Sequence, residues 1–196
     1  MATDLMTALR RVQHEAVHAL ATAHDFRDSY TGKHQRDTAD IAQAIAAELG
    51  LSAERTEGIY LAAVVHDIGK LAIPMEILSH PGKLTNRELR MVKIHPQVGH
   101  DITARISFPW PIPRIILEHH ERLDGSGYPN GLVGDEILLD SRIVAVADVL
   151  EAMTADRPYR PAQSVDRAFE LLKRGAGTLF DPDVVDACTH ISFGTR

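Results

Sequence analysis

A chain of 196 residues holds one domain, or one domain with a short appendage, and is long enough to bury a sizeable core. Its formal net charge of -6 is spread without a block of like sign, which argues against a surface built to coat nucleic acid or an anionic membrane, so an anionic ligand must be drawn by a local site. The single cysteine, Cys188, excludes an intramolecular disulfide and fits a reducing compartment, and neither a signal-peptide pattern nor a spanning apolar run occurs, so a soluble, cytoplasmic protein is expected.

Leu5, Leu9, Val12, Ala16 and Ala19 recur at spacings of three and four, which predicts an amphipathic helix whose narrow stripe suits a partner helix. The stretch "SYTGKH" breaks that pattern. From His34, a run through Ala39, Ile41, Ala42, Ile45, Ala46 and Leu49 predicts a second helix closed by Gly50. Ser52 is the N-cap expected for a third, apolar through Ile59, Leu61, Ala62, Val64 and Val65 into "HDIGK". Pro74 opens a short helix, "HPGK" is a loop, and Thr85 with Glu88 forms a capping box for a helix that carries His95, bends at Pro96 and runs to about Ile106. After "FPWPIP" a helix is expected over residues 112 to 121, then an apolar one through Ile143, Val144, Ala147, Val149, Leu150 and Met153. Ser164 and Asp181-Pro182 start the last two. No stretch alternates with period two, so the fold class is all-α.

The eleven histidines carry the chemistry. A lone histidine is most often a surface or satisfied core residue, so the pattern has to make the case. His66-Asp67 ends an apolar helix, His119-His120 ends another, and Asp148 interrupts a third apolar run, where an uncompensated carboxylate is costly. A metal centre explains these intrusions together. Imidazole and carboxylate donors suit iron, manganese, nickel, cobalt or zinc, whereas the absence of cysteine ligands speaks against a thiolate zinc site. His34, His66, Asp67, His95, His119, His120 and Asp148 offer more donors than one ion needs, which fits two ions sharing a carboxylate. Two divalent cations outweigh two carboxylates and a bridging hydroxide, so an anionic substrate is welcomed locally. His14, His18, His24, His80, His100 and His190 receive no role.

The ordered set His34, His66-Asp67 in "HDIGK", His95 in "HPQVG", His119-His120 and Asp148 resembles the metal signature of the HD superfamily of phosphohydrolases. "HHERLDGSGYP" narrows this to the HD-GYP subfamily, to which the chain is similar from about Asp28 to Phe193. The resemblance implies one all-α domain over residues 27–196, preceded by a coupling or dimerisation helix over residues 1–26, and hydrolysis of cyclic di-GMP to pGpG or GMP. It implies that Asp67 bridges two ions, that His34, His66 and Asp148 complete one, and that His95, His119 and His120 complete the other. Iron or manganese is expected first, with nickel, cobalt or zinc as alternatives. Tyr30 stands where trinuclear members carry Glu, which points to two ions; Glu151 stands where an Asp is usual.

By the same resemblance Asp67 and Lys70 are the catalytic residues, Lys70, Arg157, Arg160 and Tyr128 contact substrate, and the Gly127-Tyr128-Pro129 turn docks diguanylate-cyclase (GGDEF) domains, unless it is a structural turn bordering the site. The rival expectations are a sensor that binds cyclic di-GMP without turning it over, and a hydrolase of another cyclic dinucleotide.

Overall fold

The computed structural model describes residues 2–27, 31–80, 82–156 and 161–191. Tyr30, Arg157 and Arg160 lie outside them. The described residues form ten α-helices and two short 3-10 segments, with no strand beyond two isolated bridges. In chain order they are α1 (Ala2–Arg27), α2 (Thr31–Glu48), α3 (Ala53–Val64), a 3-10 segment (Ile68–Ala72), α4 (Met75–Leu78), α5 (Asn86–Val92), α6 (His95–Thr103), α7 (Ile112–Glu118), a 3-10 turn (Gly134–Glu136), α8 (Leu139–Thr154), α9 (Val165–Gly175) and α10 (Pro182–His190). The all-α expectation holds.

α2 packs against α3 and α8, and α7 closes onto α3, α6 and α8. Ile45, Ile59, Ile115, Ile116, Ile143 and Leu150 are wholly buried where these helices meet, and that apolar burial drives their association. The caps read from sequence are in place: Ser52 accepts from Arg55 N, Thr85 and Glu88 form a capping box, and Asp181 accepts from Asp183 and Val184. Gly50 ends α2 at φ 70°, the left-handed conformation in which glycine carries no Cβ penalty. Trp110, in "FPWPIP", lies against Gly58 and donates its indole N–H to Glu54 O at 2.7 Å, so this interruption anchors α7 to α3.

Three boundaries differ from the sequence expectation. α2 begins at Thr31, which puts His34 in its first turn. The helix expected from Thr85 to Ile106 is two, because the chain leaves α5 at Lys93 and restarts at His95 with Pro96 in the first turn of α6, where its missing N–H costs nothing. α7 stops at Glu118, three residues short, leaving His119 and His120 in a turn. α4 and α5 bury no residue, so this arm holds to the body mainly through the segments on either side.

α1 packs on the body with Gln13, Val17, Ala21 and His24, while Leu9, Val12 and Ala19 of the apolar stripe face outward. Gln35 donates to His24 Nδ1 at 3.0 Å and Gln13 donates to Ser107 O at 2.7 Å, so α1 is tied down by polar side chains that no apolar pattern marks.

The 3-10 segment meets α6 through glycine: a Cβ on Gly69 would strike the His95 carbonyl oxygen and come 2.6 Å from Gly99 N. This backbone contact brings Asp67 and His95 together. Gly69→Ala is expected to destabilise the fold by about 1–3 kcal/mol, the usual cost of overpacking. Chemical denaturation of the metal-free protein measures it, and an unchanged midpoint would contradict this packing.

Candidate metal centre

Asp67, 2% exposed, follows α3 and lies where α2, α6, α7 and α8 converge. Its Oδ1 is 3.3 Å from His95 Nε2, at the start of α6. Its Oδ2 is 3.4 Å from His66 Nε2, 3.8 Å from His34 Nε2 and 2.5 Å from Lys70 Nζ. Asp148 reaches in from α8, its Oδ1 3.3 Å from His34 Nε2 and 3.8 Å from His66 Nε2. Ligand atoms of His34, His66 and Asp148 lie within 4.8 Å of one another, and so do those of His95, His119 and His120. The structure thus gathers all seven sequence-selected side chains, with the two Asp67 oxygens directed at different groups.

His66, His95 and His119 donate Nδ1–H to the carbonyls of Ala63, Val92 and Ile116 at 2.7, 2.8 and 2.6 Å. In a neutral ring that leaves the lone pair on Nε2, facing the centre. Burial pulls His95 down to about 4 and His120 to about 3, and burial together with the neighbouring His120 holds His119 well below its ordinary value. These rings are neutral near pH 7. Burial also opposes a proton on His34, but hydrogen bonds to Asp148 and Glu151 and the charge of Asp67 push it up to about 10. Burial works against the Asp67 charge and is outweighed by Lys70, His66 and His95, which hold that carboxyl well below the usual range. Asp148 is held low in the same way by His34 and His66.

The donor set fits cations. His95 Nε2 and His119 Nε2 face each other at 3.3 Å, and two lone pairs at that distance repel unless a cation lies between them. His66 Nε2 is buried with no hydrogen-bond partner among the described residues, a costly orphan that a metal would satisfy. No thiolate is near; Cys188 lies in the apolar core.

The shortened α7 is what lets adjacent histidines converge. Neighbours on a regular helix diverge by about 100°, whereas the tight turn closed by Glu121 N–H to Glu118 O at 2.8 Å leaves the two rings 4.0 Å apart and inclined by 40°. Buried carboxylates fix both ends of that turn. Glu118 accepts from Arg114 at 2.5 Å and from Leu138 N and Ser141 Oγ at 2.9 Å, and Glu121 accepts from the backbone of Asn130, Gly131 and Leu132.

Lys70, a quarter exposed, sits at the rim on Asp67. Tyr128, expected to contact substrate, has its ring stacked on His120. Glu151 approaches His34 Nδ1, so its carboxylate acts on that ring rather than on Asp148. Arg157 and Arg160 lie outside the described residues. Away from the centre, His100 pairs with Asp101, His14 with Glu57, and His24 is buried against Gln35. Sequence reasoning missed Glu118 and Glu121; the signal was two charges flanking a histidine pair at the end of an apolar helix.

Residues 19–184 match the model of the HD domain family. The chain is similar to the cyclic di-GMP phosphodiesterase response regulator RpfG of Xanthomonas campestris pv. campestris, 43% identical over 93% of this chain and 49% of that protein. It is also similar to the 3'3'-cGAMP-specific phosphodiesterase 3 of Vibrio cholerae, 38% identical over 81% of this chain and 35% of that one. Among solved structures, the HDG"Y"P protein Bd1817 of Bdellovibrio bacteriovorus superposes with a TM-score of 0.66 at 19% identity, covering 80% of this chain and 50% of its own, a likeness of fold. The chain spans about half the length of the first of these relatives and about a third of the second.

Because Glu151 orients His34, Glu151→Ala is expected to weaken metal binding by about 10–100-fold, the usual effect of removing such a support. Chelator-competition titration reads this, and wild-type affinity in the variant would count against the assignment.

Proposed function

The chain belongs to the HD domain family, with the HD-GYP signature in residues 66–70 and 119–129, and from that membership we propose that it is a metal-dependent phosphodiesterase that opens cyclic di-GMP to pGpG or onward to GMP. One observation carries the reading: the buried Asp67 turns one oxygen to His95, which clusters with His119 and His120, and the other to His66 and His34, which cluster with Asp148. His34, His66 and Asp148 would hold one divalent ion, His95, His119 and His120 the other, and Asp67 both. Such ions supply relief of phosphate charge and a water acidified toward a pKa of about 7.

The chain's own groups then divide the remaining work. Lys70 Nζ takes a phosphate oxygen as a point charge from the rim. The Nδ1 tethers of His34, His66, His95 and His119 keep their Nε2 atoms aimed inward, so little reorganisation is needed as charge develops. Arg157 and Arg160 are proposed contacts to phosphate and guanine. Iron or manganese is the proposed metal, with nickel, cobalt or zinc as alternatives, supported by donors that are all nitrogen and oxygen.

A cytoplasmic location is proposed, in keeping with one buried free cysteine and with no described helix long and apolar enough to cross a membrane. Two partners complete the proposal. A second copy would meet the outward stripe of α1, where Leu9 is 49% and Val12 55% exposed. Diguanylate-cyclase domains would meet the exposed side of the turn at Ser126, Pro129 and Asn130.

A second reading keeps the chemistry and changes the substrate to 3'3'-cGAMP, favoured by the resemblance to the Vibrio cholerae enzyme named for it. Protein prepared anaerobically and loaded with Fe(II) or Mn(II) is expected to convert cyclic di-GMP to pGpG or GMP, and His66→Ala to slow this by at least about a hundredfold. Faster turnover of 3'3'-cGAMP in the same assay selects the second reading. Tight binding without turnover at full metal occupancy would make the domain a sensor and sink the enzyme proposal.

A further inference from the structure

Four of the five imidazoles of the centre are tethered through Nδ1, three to backbone carbonyls and His34 to Glu151. His120 has no such tether among the described residues. Its ring is instead stacked on Tyr128, with centroids 4.8 Å apart and planes inclined by 29°. The same tyrosine meets the edge of His95 at 6.4 Å and carries Lys93 Nζ 4.7 Å from its ring centroid.

The backbone around Tyr128 is built to hold that stack. Tyr128 N–H donates to His120 O at 3.3 Å, which ties the stacked ring to the residue it covers. Gly127 packs so tightly that a Cβ there would lie 2.5 Å from Arg122 N and 2.6 Å from the Glu121 carbonyl carbon. Beyond Pro129, Glu121 gathers the N–H groups of Asn130, Gly131 and Leu132 at 2.7, 3.2 and 3.1 Å, closing the loop onto the residue that follows the histidine pair. The Tyr128 hydroxyl makes no hydrogen bond among the described residues, and it is the ring face that meets His120.

We propose that Tyr128 is the positioning residue of His120, its stacked ring taking the place of the Nδ1 tether that the other imidazoles have, so that the Gly127-Tyr128-Pro129 turn keeps one of the two ion sites competent. The proposal rests on the metal-centre reading above and not on the identity of the substrate. An imidazole free to rotate between rotamers binds an ion more weakly than one held in its bound orientation.

The test compares wild type, Tyr128→Phe and Tyr128→Leu, freshly loaded with Mn(II), by metal content after desalting and by chelator-competition affinity, with circular dichroism to follow folding. Wild type and Tyr128→Phe are expected to retain two ions with matching affinities. Tyr128→Leu is expected to keep one ion and to lose about tenfold or more in affinity for the other. Two ions held at wild-type affinity in Tyr128→Leu would overturn the proposal, and so would a loss in Tyr128→Phe, because either result frees His120 from dependence on the ring. If Tyr128→Leu does not fold, Tyr128→Gln, which also removes the aromatic face, takes its place with the same expected loss and the same overturning result. A wild type that binds fewer than two ions overturns the metal-centre reading and this proposal with it, whereas a wild type with two ions and no turnover of any cyclic dinucleotide overturns only the function.

Discussion

Asp67 has almost no contact with solvent, yet its two oxygens serve different neighbours, one facing His95 and the other facing His66, His34 and Lys70. An ionised carboxylate at such depth is tolerable only with cationic or hydrogen-bonding compensation. Four helices meet around it. α2 delivers His34, α6 delivers His95, the end of α7 delivers His119 and His120, and α8 delivers Asp148. The isoleucine-rich core behind them fixes these directions, and the close approach at Gly69 sets how near α6 can come. Core packing and site geometry are therefore one constraint: a shift of α6 against the 3-10 segment moves His95 off Asp67.

The ends of helices supply the supporting hydrogen bonds. The last carbonyls of a helix lack the N–H partner that another turn would bring. Ala63 near the end of α3, Val92 at the end of α5 and Ile116 near the end of α7 each give such a carbonyl to an imidazole just downstream. One chain interruption thus stops the helix, turns the histidine inward and orients its ring. The same logic explains why α7 stops before His119, since a continuous helix would use the Ile116 carbonyl for itself; at His95 the residue four after Val92 is Pro96, which has no N–H, so the Val92 carbonyl is left to the imidazole. His34, in the first turn of α2, takes the Glu151 carboxylate instead.

Much of this was legible in the sequence because helix signals are local. Ser52, the Thr85–Glu88 pair, Asp181-Pro182 and Gly50 act within a few residues, and the structure uses each as expected. His66, Asp67, His119, His120 and Asp148 stood out because polar and charged groups intruding on apolar runs are physically expensive, and His34 and His95 joined them through the ordered motif. The buried face of α1 was not legible, since Gln13 and His24 enter it as polar residues whose partners, Ser107 and Gln35, lie on other segments. The roles of Glu118 and Glu151 were hidden for the same reason: 20 residues separate Glu118 from Leu138 and 117 separate His34 from Glu151, and no periodicity reports a contact across such a gap, while Glu121 closes a loop 9 to 11 residues long that no helical period describes.

Charge links the centre to its expected ligand. The protein is acidic overall, and Asp67, Asp148 and Glu151 make its interior acidic at this point, with Lys70 the nearest permanent positive charge. Without bound cations, His34 holds a proton among three carboxylates, while His95, His119 and His120 turn neutral lone pairs toward one another. Neither arrangement invites a phosphodiester. Divalent ions held there would replace the first proton and separate the second set of lone pairs, reversing the sign of the local field where the phosphate of the proposed substrate would sit. Metal loading would then be a precondition for substrate binding as well as for chemistry, which makes the preorganisation of each imidazole, by carbonyl, carboxylate or stacked tyrosine, the step on which both depend.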